Sequence, residues 1–280
     1  MERKGRVEGK VAIVTGAGST PGPGIGTGKG SAVVLGREGA KVLCVDLFPE
    51  RAEETRAMIE EAGGTAQVFA GDCTDAADCE AMVQAAVDAW GTVDILVNNI
   101  GRAFVGTVVD TTEEQWDQAL AINLRTAFLA SKYAVPVMAA QGSGSIVNMS
   151  SISAVRGDGT IAYSAAKGAL LAMTYDMAFS HGRQGIRVNA IAPGHITTPM
   201  VNSVQQLGPL ADFNARMRAE AGLLGTPGDG WDVGHAVCFL ASDEARWITG
   251  ALLPVESGVL TVTPLLMAGH LRSVPAPDVE

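Results

Sequence analysis

Between Val11 and Asp46 the chain commits itself to one kind of fold. Val11-Ala-Ile-Val14 is a short unbroken apolar run, the pattern of a strand buried on both faces. It leads into Thr15-Gly-Ala-Gly-Ser-Thr-Pro-Gly-Pro-Gly-Ile-Gly-Thr-Gly28, after which Lys29 to Arg37 reads as a helix closed by Glu38-Gly39. Lys41 to Val45 is a second strand, and it ends on Asp46. Strand, glycine loop, helix, strand and acidic residue is the order of a dinucleotide-binding βαβ unit. Glycines let the backbone approach a pyrophosphate, and the helix N-terminus supplies donors and positive potential. Asp46 stands 18 residues past Gly28, near the spacing of about 20 expected for a carboxylate on the adenosine ribose. Gly28-Lys29 also raises a phosphate-binding P-loop. That reading fails because Pro23 replaces its first glycine and Gly30 its Ser or Thr.

The alternation continues. Helices are expected over Pro49–Ala62 and Ala76–Trp90, and strands over Ala66–Ala70 and Val93–Val97, the latter running into Asn98-Asn99-Ile100-Gly101. Thr112–Ala140 reads as a long helical stretch containing Asn123, interrupted or ended near Pro136. Ile186–Ala190 is a further strand, running on to Pro193-Gly-His-Ile-Thr-Thr-Pro199; Asp232–Ala241 is a last helix and Ala251–Val255 a last strand. Short apolar strands alternating with helices imply an α/β fold, a doubly wound parallel sheet covered on both faces. Residues 1–263 read as a single domain carrying a helical flap at about 199–227, and 264–280 as a tail, disordered or packing at a subunit interface.

One stretch carries chemistry. Ile146 to Met149 is a buried strand ended by Ser150-Ser151; a loop with Gly157 and Gly159 follows, then Tyr163, with Lys167 four residues on in the alanine-rich segment Ala162–Met173. Alanine favours helix, and residues i and i+4 share a helix face, so the phenol and the ammonium should be neighbours. A nearby cation can lower a tyrosine from its ordinary value near 10 by roughly 1–3 units, which would let Tyr163 exchange a proton near neutral pH. Ser150 or Ser151 could hold a substrate oxygen beside it. Taken alone, Tyr-x-x-x-Lys is also met as a chance pair on a helix surface.

Composition narrows the class. With 280 residues, 47% of them hydrophobic, one large core is expected. A net charge of −10 argues against nucleic acid or an anionic membrane as main partner. Cys44, Cys73, Cys79 and Cys238 show neither disulfide nor metal-ligand spacing, so no metal is expected and a reduced, cytoplasmic compartment fits. The charged Met-Glu-Arg-Lys-Gly-Arg start has no apolar stretch behind it, so no signal peptide is expected, and no run of about 18 apolar residues suggests a membrane span.

Together the residues resemble the short-chain dehydrogenase/reductase family in its short single-domain branch, over roughly residues 7 to 260. The marks are Thr15-Gly16 with the glycine loop, Asp72, Asn98-Asn99-Ile100-Gly101, Asn123, Ser151, Tyr163-Ser-Ala-Ala-Lys167, and Pro193-Gly194 with Thr198. The resemblance implies a Rossmann-type sheet of about seven strands, NAD(P)-dependent interconversion of a secondary alcohol and a ketone, and a homotetramer. By it Tyr163 is the acid/base, Lys167 lowers its pKa and binds the nicotinamide ribose, Ser151 orients the substrate oxygen, and Asn123 supports a water-linked proton relay. Cofactor contacts would come from Gly16, Ser19, Ile25, Gly26, Thr27, Gly28, Asp46 and Leu47 around the glycine loop. Asp72 and Cys73 would flank the adenine and Asn99 the adenosine ribose side, with Gly101 a further cofactor contact. Pro193, Gly194, Ile196 and Thr198 would sit at the nicotinamide. Asp46 points to NAD over NADP.

Three features depart from the family pattern. The glycine loop is longer than Thr-Gly-x-x-x-Gly-x-Gly, so Gly24-Ile-Gly26 and Gly26-Thr-Gly28 compete for its second half, with helix length favouring the latter. Ile100 stands where the family usually has Ala. Ser151 is twelve residues before Tyr163, one fewer than common, and Ser150 restores the spacing; Asn-x-Ser-Ser favours Ser151, with Ser153 a third candidate. His195, Arg102, Phe104, Val105, Arg156 and Asp158 are possible substrate neighbours or ordinary loop residues. Apolar Leu, Met and Phe in the flap favour a hydrophobic or cyclic substrate over a phosphorylated one. The rival readings are a nucleotide-sugar epimerase or dehydratase, for which about 80 residues after Pro199 are too few, and a non-catalytic dinucleotide sensor.

Overall fold

The computed structural model describes residues 5–205, 216–218 and 220–263. Seven parallel strands form one sheet: β1 (Val11–Thr15), β2 (Lys41–Asp46), β3 (Thr65–Ala70), β4 (Ile95–Asn98), β5 (Gly144–Met149), β6 (Ile186–Pro193) and β7 (Leu252–Val255). Their order, β3-β2-β1-β4-β5-β6-β7, reverses direction of travel between β1 and β4. That is the switch point where open α/β sheets bind ligands, at the carboxyl ends of the strands. β1 is buried along its length, and so is β4, as the unbroken apolar runs require. Val93 and Asp94 lie outside β4. Asp94 instead brackets the start of β1, its carboxylate accepting from Val11 N at 2.8 Å and its amide donating to Val11 O at 2.9 Å.

Helices α1 (Thr27–Arg37), α2 (Pro49–Glu61), α3 (Ala76–Trp90), α4 (Glu113–Leu120), α5 (Thr126–Gln141), α6 (Ile161–His181), α7 (Pro199–Gln205) and α8 (Gly230–Ala241) cover the sheet. Two apolar cores lie on its opposite faces. One is built on Val14, Val42, Val97, Val33 and Val237, the other on Ile13, Leu43, Leu96, Met82 and Met138. Three helix starts are fixed by side chains: Asp75 caps α3, and capping boxes of Thr112 with Gln115 and Asp229 with Asp232 open α4 and α8. α1 is different. Its N-cap is Gly26, no side chain caps it, and its first turn holds no acidic residue. α1 also crosses α8 at glycine contact: a Cβ on Gly30 would stand 2.3 Å from Gly230 O, and one on Gly234 would stand 2.7 Å from Gly30 O.

The helical stretch expected over Thr112–Ala140, with its break near Pro136, is three pieces broken elsewhere. A π-helical turn, Ala121–Arg125, separates α4 from α5, and Pro136 sits inside α5 without ending it. α6 runs well past Met173 to His181. Of the flap, Pro199–Gln205 and residues 216–218 are helical, and the segment between them lies outside the described residues, as does the tail from 264. No described helix is long and apolar enough to cross a membrane.

Candidate active site

The glycine loop folds into a cradle at the carboxyl end of β1. Gly16 has φ +63°, a left-handed conformation that suits glycine. A Cβ on Gly28 would stand 1.9 Å from Gly16 O and 2.4 Å from Asn99 Nδ2, and one on Gly26 would stand 2.9 Å from Ser19 Oγ. The helix starting at Thr27 with Gly28 packed on Gly16 therefore selects Gly26-Thr-Gly28 as the second half of the loop. Asn99 ties loop to helix: its Nδ2 donates to Gly16 O at 3.0 Å, and its Oδ1 accepts from Thr27 Oγ1 at 2.7 Å. Ile100 packs behind Gly16, where a Cβ would stand 3.2 Å from its Cγ1.

Asp46 ends β2 beside this loop. Its Oδ2 accepts from Gly18 N at 2.9 Å and its Oδ1 from Phe48 N at 3.0 Å, which aims the carboxylate without consuming all its lone pairs. Leu47 is exposed next to it. Arg51, in the first turn of α2, lays its guanidinium 3.9 Å from the centroid of the exposed Phe48 ring. These residues fit a dinucleotide. The glycines leave a groove that a Cβ would fill, the N-terminus of α1 offers uncapped donors, and Ser19 Oγ is buried there with no hydrogen-bond partner. Asp72 accepts from both Thr74 N (2.8 Å) and Thr74 Oγ1 (2.7 Å), while the Cys73 side chain packs into a core cluster. All four cysteines are buried free thiols.

The second group converges at the ends of β4 and β5. Ser150 and Ser151 separate in role: Ser150 Oγ donates to Lys167 O at 3.0 Å and so fastens β5 to α6. Ser151 Oγ contacts Ser153 Oγ at 3.1 Å and hydrogen-bonds the Tyr163 phenol. Ser153 in turn donates to Asp158. Lys167 is 2% exposed, with Nζ donating to Met149 O at 2.8 Å and to Ile100 O at 3.5 Å, and it lies 5.6 Å from the Tyr163 ring centroid. The i,i+4 pairing is thus realised, but its expected consequence is not. Burial pushes the Tyr163 phenol up to about 12, with the Ser151 hydrogen bond opposing and the Asp158 charge adding to the rise. Burial also pushes the Lys167 ammonium down to about 7. Both shifts have one cause: a desolvated site disfavours whichever form of each group is charged.

Asn123 sits in the π-helical turn, which turns its amide towards the end of β4. Oδ1 accepts from Arg102 N at 2.9 Å, and Nδ2 donates to Arg102 O and Ala119 O, each at 3.0 Å. Gly101 lies between Asn123 and Lys167; a Cβ there would stand 3.1 Å from both Asn123 Oδ1 and Lys167 Nζ. Such π turns are frequent at functional sites. The loop after Gly101 and the loop before Tyr163 are joined by Gly106 N donating to Gly159 O at 3.0 Å and Ile161 N to Gly106 O at 3.2 Å. Arg102 stacks 5.0 Å from the Phe104 ring centroid, and Val105 is exposed.

Pro193 ends β6, and a Cβ on Gly194 would collide with Ile152 Cγ2 at 2.6 Å, so that turn packs against the residue next to Ser151. Ile196 and Thr198 are buried, Thr198 Oγ1 accepting from Val201 N at 3.3 Å, while Ile25 lies buried on the glycine-loop side. Two residues near this turn were not singled out from sequence. Glu256, 8% exposed, holds the turn after β7 by accepting from Gly258 N and Leu260 N. Sequence reasoning places Arg218 only within the flap. The Arg216-x-Arg218-x-Glu220 pattern, charged inside an apolar stretch, was the available signal.

Comparisons agree with this architecture. A family model described as Enoyl-(Acyl carrier protein) reductase matches residues 23–260. The chain is 38% identical to 2-(S)-hydroxypropyl-CoM dehydrogenase 3 of Xanthobacter autotrophicus, over 92% of this chain and 99% of that protein. A short-chain dehydrogenase/reductase from Burkholderia xenovorans superposes with a TM-score of 0.90 at 40% identity, covering 92% of this chain and 99% of its own. Carveol dehydrogenase from Mycobacterium avium, solved in complex with NAD, superposes with a TM-score of 0.84 at 30% identity, covering 92% of this chain and 100% of its own. The chain belongs to the short-chain dehydrogenase/reductase family. It is an oxidoreductase of the kind that acts on alcohols and ketones with a nicotinamide dinucleotide.

Proposed function

We propose that the protein interconverts a secondary alcohol and a ketone with NAD, using Tyr163 as acid/base. The observation that carries this reading is the meeting of Ser151, Tyr163, Lys167 and Asn123 around the carboxyl ends of β4 and β5. When bound, the dinucleotide supplies the hydride acceptor or donor. Ser151 holds the substrate oxygen against the phenol. Lys167 reaches the nicotinamide ribose, and Asn123 supports a proton relay past Gly101 to Lys167. A phenol held protonated at neutral pH suits donation to a ketone oxygen, and alcohol oxidation should then quicken as pH rises. Gly16, Ser19, Gly26 and Gly28 hold the pyrophosphate, and Asp46 the adenosine ribose hydroxyls. NAD is preferred because a 2′-phosphate would meet the Asp46 carboxylate, while the neighbouring Leu47 offers it no cation.

The single domain over residues 1–263, with its flap over the site, is proposed to work as a cytoplasmic homotetramer. The test is a screen of cyclic, aryl, steroid, sugar and hydroxy-acid alcohols with NAD and NADP, read by nicotinamide absorbance. Turnover of at least one class, faster with NAD, is expected. No turnover across the panel with either cofactor, and none of the matching ketones with NADH, contradicts the reading.

A further inference from the structure

The turn at His195 holds more positive charge than the chemistry above uses. His195 is half-buried with φ +53°. The charged groups facing it are Arg156 and Asp158 from the loop before α6, Arg218 from the segment before α8, and Glu256 from the turn after β7. Both carboxylates are already satisfied. Glu256 accepts from Gly258 N at 3.1 Å and Leu260 N at 2.8 Å, and Asp158 accepts from Ser153, from Thr160 Oγ1 at 2.5 Å and from Ser164 Oγ at 3.4 Å. Neither arginine forms an ion pair among the described residues. Arg156 gives one nitrogen to Val259 O at 3.2 Å. Arg218 has Nε and Nη1 buried and without any hydrogen-bond partner.

The location is fixed by the backbone on both sides. Leu223 N donates to Ser257 O at 2.6 Å, Leu224 N to Ser257 Oγ at 3.1 Å, and Gly228 bridges to Ile196. The residues following Arg218 are therefore pinned to the turns after β6 and β7, and the first of those turns packs on Ile152, next to Ser151. Burial lowers the Arg218 guanidinium, but from so high a value that it stays charged at neutral pH. Burial and the two guanidinia hold His195 below its ordinary value, so it is neutral there and adds no competing charge. In the half-buried Arg218, shielded Nε and Nη1 donors without acceptors are costly until an acceptor completes them, and a planar guanidinium is matched by an oxyanion.

We propose that the substrate carries a carboxylate or sulfonate away from its reacting carbon, and that Arg218, with Arg156 beside it, binds this anion. This rests on the oxidoreductase reading of the same site, and it adds an anionic end to the hydrophobic or cyclic, non-phosphorylated substrate expected from the apolar residues of the flap.

The test uses matched secondary alcohols and their ketones on one short carbon skeleton, ending in carboxylate, in sulfonate, or in a neutral methyl ester or amide. Wild type should favour an anionic member by at least roughly tenfold in kcat/KM, chiefly through KM, and the two anionic arms show which oxyanion fits. Arg218→Met should collapse that ratio towards one, Arg218→Lys should keep part of it, and Arg156→Gln should reduce it less. A neutral member turned over as well as the anions, or a ratio unchanged in Arg218→Met, overturns the proposal. If no member reacts, the oxidoreductase reading is what suffers, and the anion site is judged by calorimetric titration of butyrate and butanesulfonate. Binding by wild type that Arg218→Met loses upholds it; no binding by wild type at millimolar concentration overturns it. Arg218→Gln, checked by thermal unfolding, stands in if the Met variant does not fold.

Discussion

Replacing Gly28 by alanine places a methyl where atoms already are. The new carbon would stand 1.9 Å from Gly16 O and 2.4 Å from Asn99 Nδ2. Carbon and oxygen approach no closer than about 3.3 Å even in favourable contacts, so more than an ångström must open. α1 has no room to retreat, because its next turn meets α8 backbone to backbone at Gly30, Gly230 and Gly234. The displacement falls on Gly16 and Asn99, the pieces that form the cradle. Overpacking of this kind costs about 1–3 kcal/mol. For a domain of this size each kcal/mol lowers Tm by roughly 2–4 °C, so a drop of roughly 2–12 °C is expected. NADH affinity, followed by nicotinamide fluorescence, should weaken by at least roughly tenfold. Gly168→Ala is the control. Gly168 lies inside α6, a Cβ there meets only Ala154 O at 3.6 Å, and helix propensity predicts a gain of about 0.5–1 kcal/mol. A Gly28→Ala protein that melts with wild type and binds NADH equally well would refute the cradle.

Asp46→Ala with Leu47→Arg should move the NADP-to-NAD ratio of kcat/KM upward by roughly 5- to 150-fold, the worth of about 1–3 kcal/mol; an unmoved ratio removes Asp46 from cofactor choice. Lys167→Met should abolish most turnover and stabilise the fold at neutral pH. A lysine depressed to about 7 weakens the folded state below its unfolded value of 10.5, fully so below 7, at about 1.4 kcal/mol per unit. The Tm advantage of the variant should therefore shrink as pH rises from 7 to 10, and a constant gap would contradict the burial argument. Asn123→Ala should cost about 1–3 kcal/mol in denaturant unfolding, because Arg102 N is left unsatisfied, and it should lower kcat as well. Wild-type stability and activity in that variant would remove Asn123 from the site.

The strands were legible because a parallel sheet covered on both faces needs apolar runs: Val11–Val14 is unbroken, and Ile146–Met149 is interrupted only by Asn148, which is buried and hydrogen-bonded to Asn98 and Thr174. Asp94 broke the rule at the edge of β4, since its carboxylate serves the start of β1 instead of the ladder. The π-helical turn at Asn123 has no residue signature, whereas Pro136, the residue that signals a break in this stretch, is absorbed by α5. Ser150 and Ser151 could not be separated by spacing. The hydrogen bond from Ser150 to the Lys167 carbonyl separates them. The i,i+4 spacing correctly made Tyr163 and Lys167 neighbours, yet spacing contains no burial, and burial sets the sign of both pKa shifts. The charge pattern marks Arg218, yet that its Nε and Nη1 lack partners is not in the pattern, for the same reason: whether a donor has a partner is decided by which turns fold over it.

The central claim is that Tyr163 moves the proton of the substrate oxygen, and Tyr163→Phe tests it most directly. The phenyl ring keeps the packing beside Lys167 and removes only the hydroxyl. With the best substrate from the screen, kcat should fall by at least about 10²-fold, the low end for general acid–base catalysis, while Tm and NADH affinity stay near wild type. A purified Tyr163→Phe protein retaining more than about a tenth of wild-type kcat would contradict the account.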